Sequence, residues 1–360
     1  MVLGPVTSQK RFLRMASLLM VALFSPIDAL AQVVDEKKIK MAGPPVLWRD
    51  PGDLASRDLR YGPGAAELAP KPPFVFLEED KHGESPKLKV RDAKGVVWSV
   101  KLGPEAQAET VATRLVWAVG YFAEEAYYFD RVQVENLPRL SRGEGYVKGQ
   151  RFVYGARFEP RREEVRRGDN WDWSKNPFAG TRELDGLKVI MILLNNYDAR
   201  ADNNRVLIVR NSQTGEMEAR YTVTDLGATL GRAGGFGGKR SKNDLDDFLS
   251  TRFVLGVKDG EVKFDYDTRP AKLGTVAILF PPYYKGEVKK EKAMRGIPVE
   301  HAKWIGSLLS RLSQDQLRDA FSAAGYDTRT MEEYVFALRQ RIDQLVRLRR
   351  ESSKEAAIPN

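Results

Sequence analysis

The spacing of apolar positions changes several times along the chain, and each change marks an element. Alternating or continuous apolar runs predict short strands at Phe74 to Leu77, Leu88 to Arg91 and Val96 to Leu102. Asp92-Ala93-Lys94-Gly95 joins the last two as a hairpin turn, with Gly95 able to take positive φ. Helical spacing of Ala108, Ala112, Leu115, Val116 and Val119 predicts a helix from Glu105 to a stop at Gly120. Strand patterns return at Tyr127 to Val134 and Arg151 to Phe158, and Glu159-Pro160 ends the second. A second helix is predicted from Glu183 to Asn195, with Leu184, Leu187, Ile190, Met191 and Leu194 on one side. Strands at Val206 to Val209 and Ala219 to Thr224 flank a polar turn, and a Gly-rich basic loop runs from Gly227 to Lys242. The rest reads as helical. Ser313 to Gln316 and Thr330 to Glu333 have capping-box spacing, and Tyr334, Leu338, Ile342, Leu345 and Leu348 form a stripe.

The ends read differently. Lys10, Arg11 and Arg14 precede the apolar run Met15 to Phe24, and Ala29-Leu30-Ala31 follows. A basic stretch, a short apolar core and an A-x-A site predict a cleaved signal peptide over 1–31, with an uncleaved anchor as the lesser alternative. No later segment is apolar enough to span a bilayer. The expected location is therefore the periplasm or exterior of a bacterium. Residues 32–73 are rich in Pro, Gly and charge and predict an extended arm with little structure of its own. Residues 351–360 are expected to fray.

Composition narrows the chemistry. With 42% hydrophobic and 30% charged residues over 360 positions, the chain is globular rather than disordered. It has no Cys, which excludes disulfides, thiolate nucleophiles and iron–sulfur clusters. Only His82 and His301 are present, so a multi-histidine metal centre is excluded. The net charge of +9 is spread along the chain rather than gathered, so nucleic acid is not expected as a partner.

Four features carry candidate chemistry. Lys101 lies among apolar strand residues, where an outward surface side chain is the ordinary reading. Glu109 sits early in the following helix with Glu105 one turn before it, positions that also suit a solvated face. Asn195-Asn196-Tyr197-Asp198 runs on to Asp202-Asn203-Asn204 between a helix and a strand, and such residues also make plain turns. Asp225-Leu226-Gly227 follows a strand.

In sequence these give a strand Lys, a helix Glu, a loop Asp with Asn five residues on, a β run and Asp-Leu-Gly. The order resembles the protein-kinase-like fold, in particular its atypical branches: HipA-like kinases, phosphoinositide kinases and secreted kinases of the Golgi type. Val100-Lys101-Leu102-Gly103 followed by Glu109, Ala112, Leu115 and Gly120 is similar to the HipA arrangement, and the likeness runs over about 74–230. It implies an α+β, two-lobed fold. A small β-rich lobe with one helix would occupy about 74–158 and a mainly helical lobe about 159–350, with ATP and Mg²⁺ (or Mn²⁺) between them.

The resemblance also implies roles. Lys101 would meet the α/β-phosphates, held by Glu109 or its substitute Glu105. Asp225 would be the main metal ligand, with Asn203 a second and Asn204 its fallback. Asp198 would orient or deprotonate an acceptor hydroxyl on a protein, sugar or lipid. The stretch around Gly83 and Ser85 would cover the phosphates. The sequence departs from the pattern at Asn196-Tyr197, where His-Arg is usual, at the phosphate loop, which has only Gly83, and at Leu226 for Phe; no Ala-Pro-Glu follows. These departures leave transfer of AMP open beside phosphoryl transfer, and two further alternatives stand: a nucleotide-binding pseudokinase or envelope interaction module, and a hydrolase using Asp198 and Asp225 as acid and base.

Overall fold

A computed structural model describes residues 43–162, 165–234, 239–268 and 281–349. In chain order its strands and helices are β1 (Pro45–Val46), β2 (Phe74–Asp80), β3 (Lys87–Arg91), β4 (Val97–Leu102), α1 (Glu105–Ala118), β5 (Tyr127–Glu135), β6 (Val147–Lys148), β7 (Phe152–Pro160), β8 (Arg166–Arg167) and α2 (Arg182–Leu193). They continue as β9 (Asn204–Arg210), β10 (Met217–Val223), α3 (Leu245–Leu249), β11 (Val254–Lys258), β12 (Glu261–Phe264), α4 (Pro281–Ala293), β13 (Ile297–Pro298), α5 (Val299–Ser310), α6 (Gln314–Ser322) and α7 (Thr328–Val346). The molecule is a mixed α/β fold. The predicted signal peptide and frayed tail lie outside the described residues. Among the described residues no helix is long and apolar enough to cross a membrane.

Six strands form one sheet in the order β4-β3-β2-β5-β7-β6, and β4 also pairs with β7, so the sheet closes on itself. Strand alternation sends Trp98, Val100 and Leu102 of β4 inward to meet Leu88, Val90, Val153 and Phe158 in one apolar cluster. The intervening Ser99 and Lys101 must therefore face outward. They are nonetheless buried, because α1 covers that outer face.

A second, larger cluster joins α2, α5, α6 and α7 to one side of β10. The apolar side of α1 (Ala108, Val111, Ala112, Leu115) packs into this larger cluster rather than into the closed sheet. The helix thus ties the two clusters together and lays its polar side on β4.

The segment expected to be an arm is irregular but firmly packed. Leu54 and Leu59 are fully buried in the larger cluster, and β1 adds a parallel edge to β10. Three apolar residues at irregular spacing (Leu47, Leu54, Leu59) give no periodic signal, yet they anchor the chain.

Of the two predicted capping boxes, Ser313–Gln316 forms, with side chain and backbone bonded in both directions. The other does not. Asp327 caps α7 instead, accepting from the Thr330 amide, which places Thr330 inside the helix.

Candidate functional site

Lys101 projects from the outer face of β4 into a ring of charge. Its ammonium donates to Glu109 Oε2 at 2.8 Å and to Glu105 Oε2 at 3.3 Å, both one turn apart on α1. It also donates to Asp225 Oδ1 at 2.5 Å, just beyond the end of β10. With 3% of its surface exposed, Lys101 is not the surface residue its strand context suggested. Burial works against the charged ammonium. Glu109, with Asp225 and Glu105, outweighs that cost and the opposing charge of Arg157, so the net shift is upward.

The carboxylates are shaped by the same contacts. Burial favours the neutral form of Asp225 and Glu105, but Lys101 reverses this and holds both carboxyls below the usual range. Glu105 has two further partners: Lys242 pairs with Oε1, and the Ser85 hydroxyl donates to Oε2 at 2.6 Å. Asp225 adopts φ +52 and leaves 48% of its side chain open, whereas Glu109 leaves 1%. Close approach explains the glycine two residues on. A Cβ on Gly227 would stand 2.7 Å from Glu105 Cβ, so a side chain here would push α1 out of place.

Sequence reasoning missed Arg157. It lies opposite Lys101 in the β4–β7 register and is buried beside it. Its Nε is 3.2 Å from Glu109 Oε2 and its Nη2 3.1 Å from Glu159 Oε2. The signal was available: Arg157 stands between inward-facing Ala156 and Phe158, the same context as Lys101.

The Asn/Asp-rich loop reaches the same place from the other side. The Asn203 amide donates to the Asp198 carbonyl at 2.8 Å and to Asp198 Oδ2 at 2.9 Å, and Arg200 Nε lies 2.7 Å from Asp198 Oδ1. Thr224, immediately before Asp225, donates its backbone N–H to the Asn203 carbonyl at 2.8 Å. This bond fixes the loop against the residue that follows β10. Asn204 corrects the sequence reading. It is buried and donates to the Trp171 carbonyl at 3.0 Å, so it faces the core and the fallback ligand is turned away. Strand alternation at the start of β9 imposes this opposite orientation on neighbours.

Other predicted contributors are brought near or set apart. Ser85 touches the cluster through Glu105. Gly83 takes φ +75 in an exposed turn. In the basic loop, Arg240 pairs with Glu287 and Lys242 with Glu105, so two of its cations have partners within the chain. Gly235 to Gly238 lie outside the described residues. Trp171 and Trp173 are buried 4.9 Å apart and serve packing.

Beside the cluster a cavity of about 670 Å³ opens between the outer face of the closed sheet and strands β9 and β10. Its lining includes Lys89 and Val97 from β3 and β4, Leu207 and Thr222 from β9 and β10, and the carboxylates of Glu124 and Glu159. Ion pairs connect it to Lys101 through Glu109, Arg157 and Glu159. Among the described residues no three His, Cys, Asp or Glu side chains gather as a metal cage. Asp225 and Asn203 offer a carboxylate and an amide, hard oxygen donors of the kind that hold Mg²⁺ or Mn²⁺ when phosphates complete the shell.

No family model and no curated protein matches the chain. Its fold is similar to solved structures of atypical kinases. One is the proinflammatory kinase CtkA of Helicobacter pylori, at 12% identity and TM-score 0.42 over 77% of this chain and 97% of that one. Another is the Golgi casein kinase, at 11% identity and TM-score 0.30 over 95% and 94% of the two chains. The same kinase with Mn/ADP bound matches at 11% identity and TM-score 0.33 over 93% of each.

Proposed function

We propose that this chain is a kinase-like enzyme that binds ATP with a divalent cation and transfers a phosphoryl group to a hydroxyl acceptor. One observation carries the reading. A buried lysine is held at 2.8 Å by a buried helix carboxylate while it faces, at 2.5 Å, a half-open aspartate from another sheet. Phosphoryl transfer needs a fixed cation for the phosphates and an oxygen ligand for the metal, held opposite each other and able to part.

In this reading the molecule has two lobes. The closed sheet is the smaller, the helical region from about 159 to 350 is the larger, and the nucleotide lies between them. Lys101 meets the phosphates and Glu109 orients it. Asp225 and Asn203 hold the metal, which neutralises phosphate charge. Asp198, fixed by Asn203 and Arg200, orients the acceptor hydroxyl. Hydrolysis by a carboxylate pair is less well served, because Lys101 occupies Asp225 and holds its carboxyl below the usual range, unsuited to the acid role. The signal peptide expected over 1–31 would put such an enzyme outside the cytoplasm.

The test is thermal unfolding with Mg-ADP or Mn-ADP. Nucleotide with metal at about 100 times its Kd should stabilise the chain by about 2.7 kcal/mol, and chelation of the metal should remove most of the gain. Absence of stabilisation by either nucleotide complex would overturn the proposal. Phosphate release or transfer from ATP then separates an enzyme from a pseudokinase.

A further inference from the structure

The cavity beside Lys101 contains a carboxyl group whose environment differs from that of its neighbours. Glu125 accepts two bonds from Arg162, at 3.1 and 2.6 Å. Glu159 accepts from Arg157 at 3.1 Å and from Arg167 at 3.4 Å. Glu124 stands between them on the loop after α1, with 15% of its side chain exposed. Its nearest cation, Arg167, lies 3.7 Å away, and among the described residues its carboxyl makes no hydrogen bond. A parallel bridge between Ala123 and Val223 seats this loop against β10, and Glu124, whose ion-pair contact is the long one to Arg167, lines the cavity together with Leu207 and Thr222.

We propose that Glu124 reads the nucleotide base, its carboxylic acid pairing with the amine and adjacent ring nitrogen of adenine. The inference rests on the nucleotide reading above and deepens it. A neutral carboxylic acid offers one acceptor beside one donor. Its carbonyl oxygen accepts from the exocyclic amine while its hydroxyl donates to the ring nitrogen. The corresponding edge of guanine offers two N–H donors and suits an ionised carboxylate instead. The charge state of Glu124 therefore selects the base.

The surroundings keep that proton in place. Burial, then the negative charge of Glu159, push the Glu124 carboxyl up to about 8, with Glu109 adding to the rise and Arg157 and Arg167 opposing it. The other charged groups around the cavity are Arg161 and Arg162 just after β7, Arg220 on β10, and Asp80 and Lys89 on β2 and β3; Glu125 is taken by Arg162. Below about pH 8 the acid form matches adenine, and above it the carboxylate does not.

The test is equilibrium binding of Mg-ADP and Mg-GDP to the whole chain at pH 6.5 and pH 9. From the protonated fraction of a group titrating near 8, the preference for ADP over GDP should fall about tenfold or more between those values. Glu124→Gln keeps an acceptor beside a donor but does not titrate, so its ADP preference should persist and become independent of pH. ADP binding whose base preference is unchanged by both pH and Glu124→Gln would overturn this inference and leave the nucleotide reading standing. Failure of both nucleotides to bind at either pH would overturn the two together. Lys101→Met separates them further: it should weaken both nucleotides equally, and a changed base preference in that variant would assign base reading to the lysine cluster instead.

Discussion

Replacing Lys101 with Met removes the charge at the centre of the cluster while keeping a side chain of similar length. The cost can be worked from the contacts. Breaking a buried ion pair by deleting one partner costs about 3–5 kcal/mol when the other charge is left without compensation. Here none of the three carboxylates is left alone. Glu109 keeps Arg157 at 3.2 Å, Glu105 keeps Lys242 and Ser85, and Asp225 has 48% of its side chain open to water. The expected loss is therefore smaller, about 1–3 kcal/mol in urea unfolding at pH 7. The pH profile should change as well. Asp225 and Glu105 have pKa values lower in the folded chain than in the unfolded one, so their contribution is present above the ordinary carboxylate range near pH 4 and is lost as pH falls through the folded values. Lys101→Met removes the main cause of both shifts and should flatten stability on the acid side. Stabilisation by Mg-ADP should disappear from the variant at concentrations that stabilise the wild type. A variant as stable as wild type, with the same acid profile, would show that these ion pairs do not form in solution. A variant that keeps the full Mg-ADP response would remove Lys101 from the phosphate site.

Gly227→Ala should disturb the cluster without touching a charge. Its Cβ would meet Glu105 Cβ at 2.7 Å, and overpacking of this kind costs about 1–3 kcal/mol; the nucleotide response should weaken with it, and an unchanged melting temperature would refute the close approach. Arg341→Met tests the larger cluster. Arg341 is 4% exposed, its guanidinium donates to the Leu193 carbonyl at 2.6 Å, the Phe248 carbonyl at 3.0 Å and Thr251 Oγ1 at 2.8 Å, and burial pushes it down to about 10. Stranding these buried acceptors should destabilise the chain by more than about 3 kcal/mol, with partial recovery in Arg341→Lys; near-neutral unfolding free energies would contradict this packing.

Local periodicity made most elements of the site legible. Helix α1 begins at the predicted Glu105, α2 falls within a residue or two of its predicted bounds, and the strands bearing Lys101 and preceding Asp225 are where the pattern put them. What periodicity does not encode is which faces meet. Arg157 joins the cluster only because β4 pairs with β7 across more than fifty residues of chain, and nothing near Arg157 in sequence announces that register. The sequence shows only a basic loop around Arg240 and Lys242, because their carboxylate partners, Glu287 and Glu105, lie far away in the chain. Asn203 and Asn204 were indistinguishable by type, and only the onset of β9 sends one to Asp198 and the other to the core.

The same geometry separates two residues that spacing alone left interchangeable. Both Glu105 and Glu109 reach Lys101, but they are not equivalent partners. Glu109 is 0.5 Å nearer (2.8 against 3.3 Å), is 1% exposed, and is held from behind by Arg157. Glu105 divides its two oxygens among Lys101, Lys242 and Ser85. In the proposed reaction a phosphate must come to Lys101 and a metal to Asp225, so the direct Lys101–Asp225 pair has to open. Asp225 can turn outward, being half open; Glu109 cannot, and so it is the fixed point that keeps the lysine in place when its other partner leaves. Glu109→Gln should therefore lower Mg-ADP affinity by about tenfold or more, the loss of one buried charge-assisted bond, while Glu105→Gln, whose lysine contact is longer and shared, should cost several-fold less. Equal losses from the two substitutions would mean that Lys101 is positioned by the summed charge of α1 rather than by Glu109.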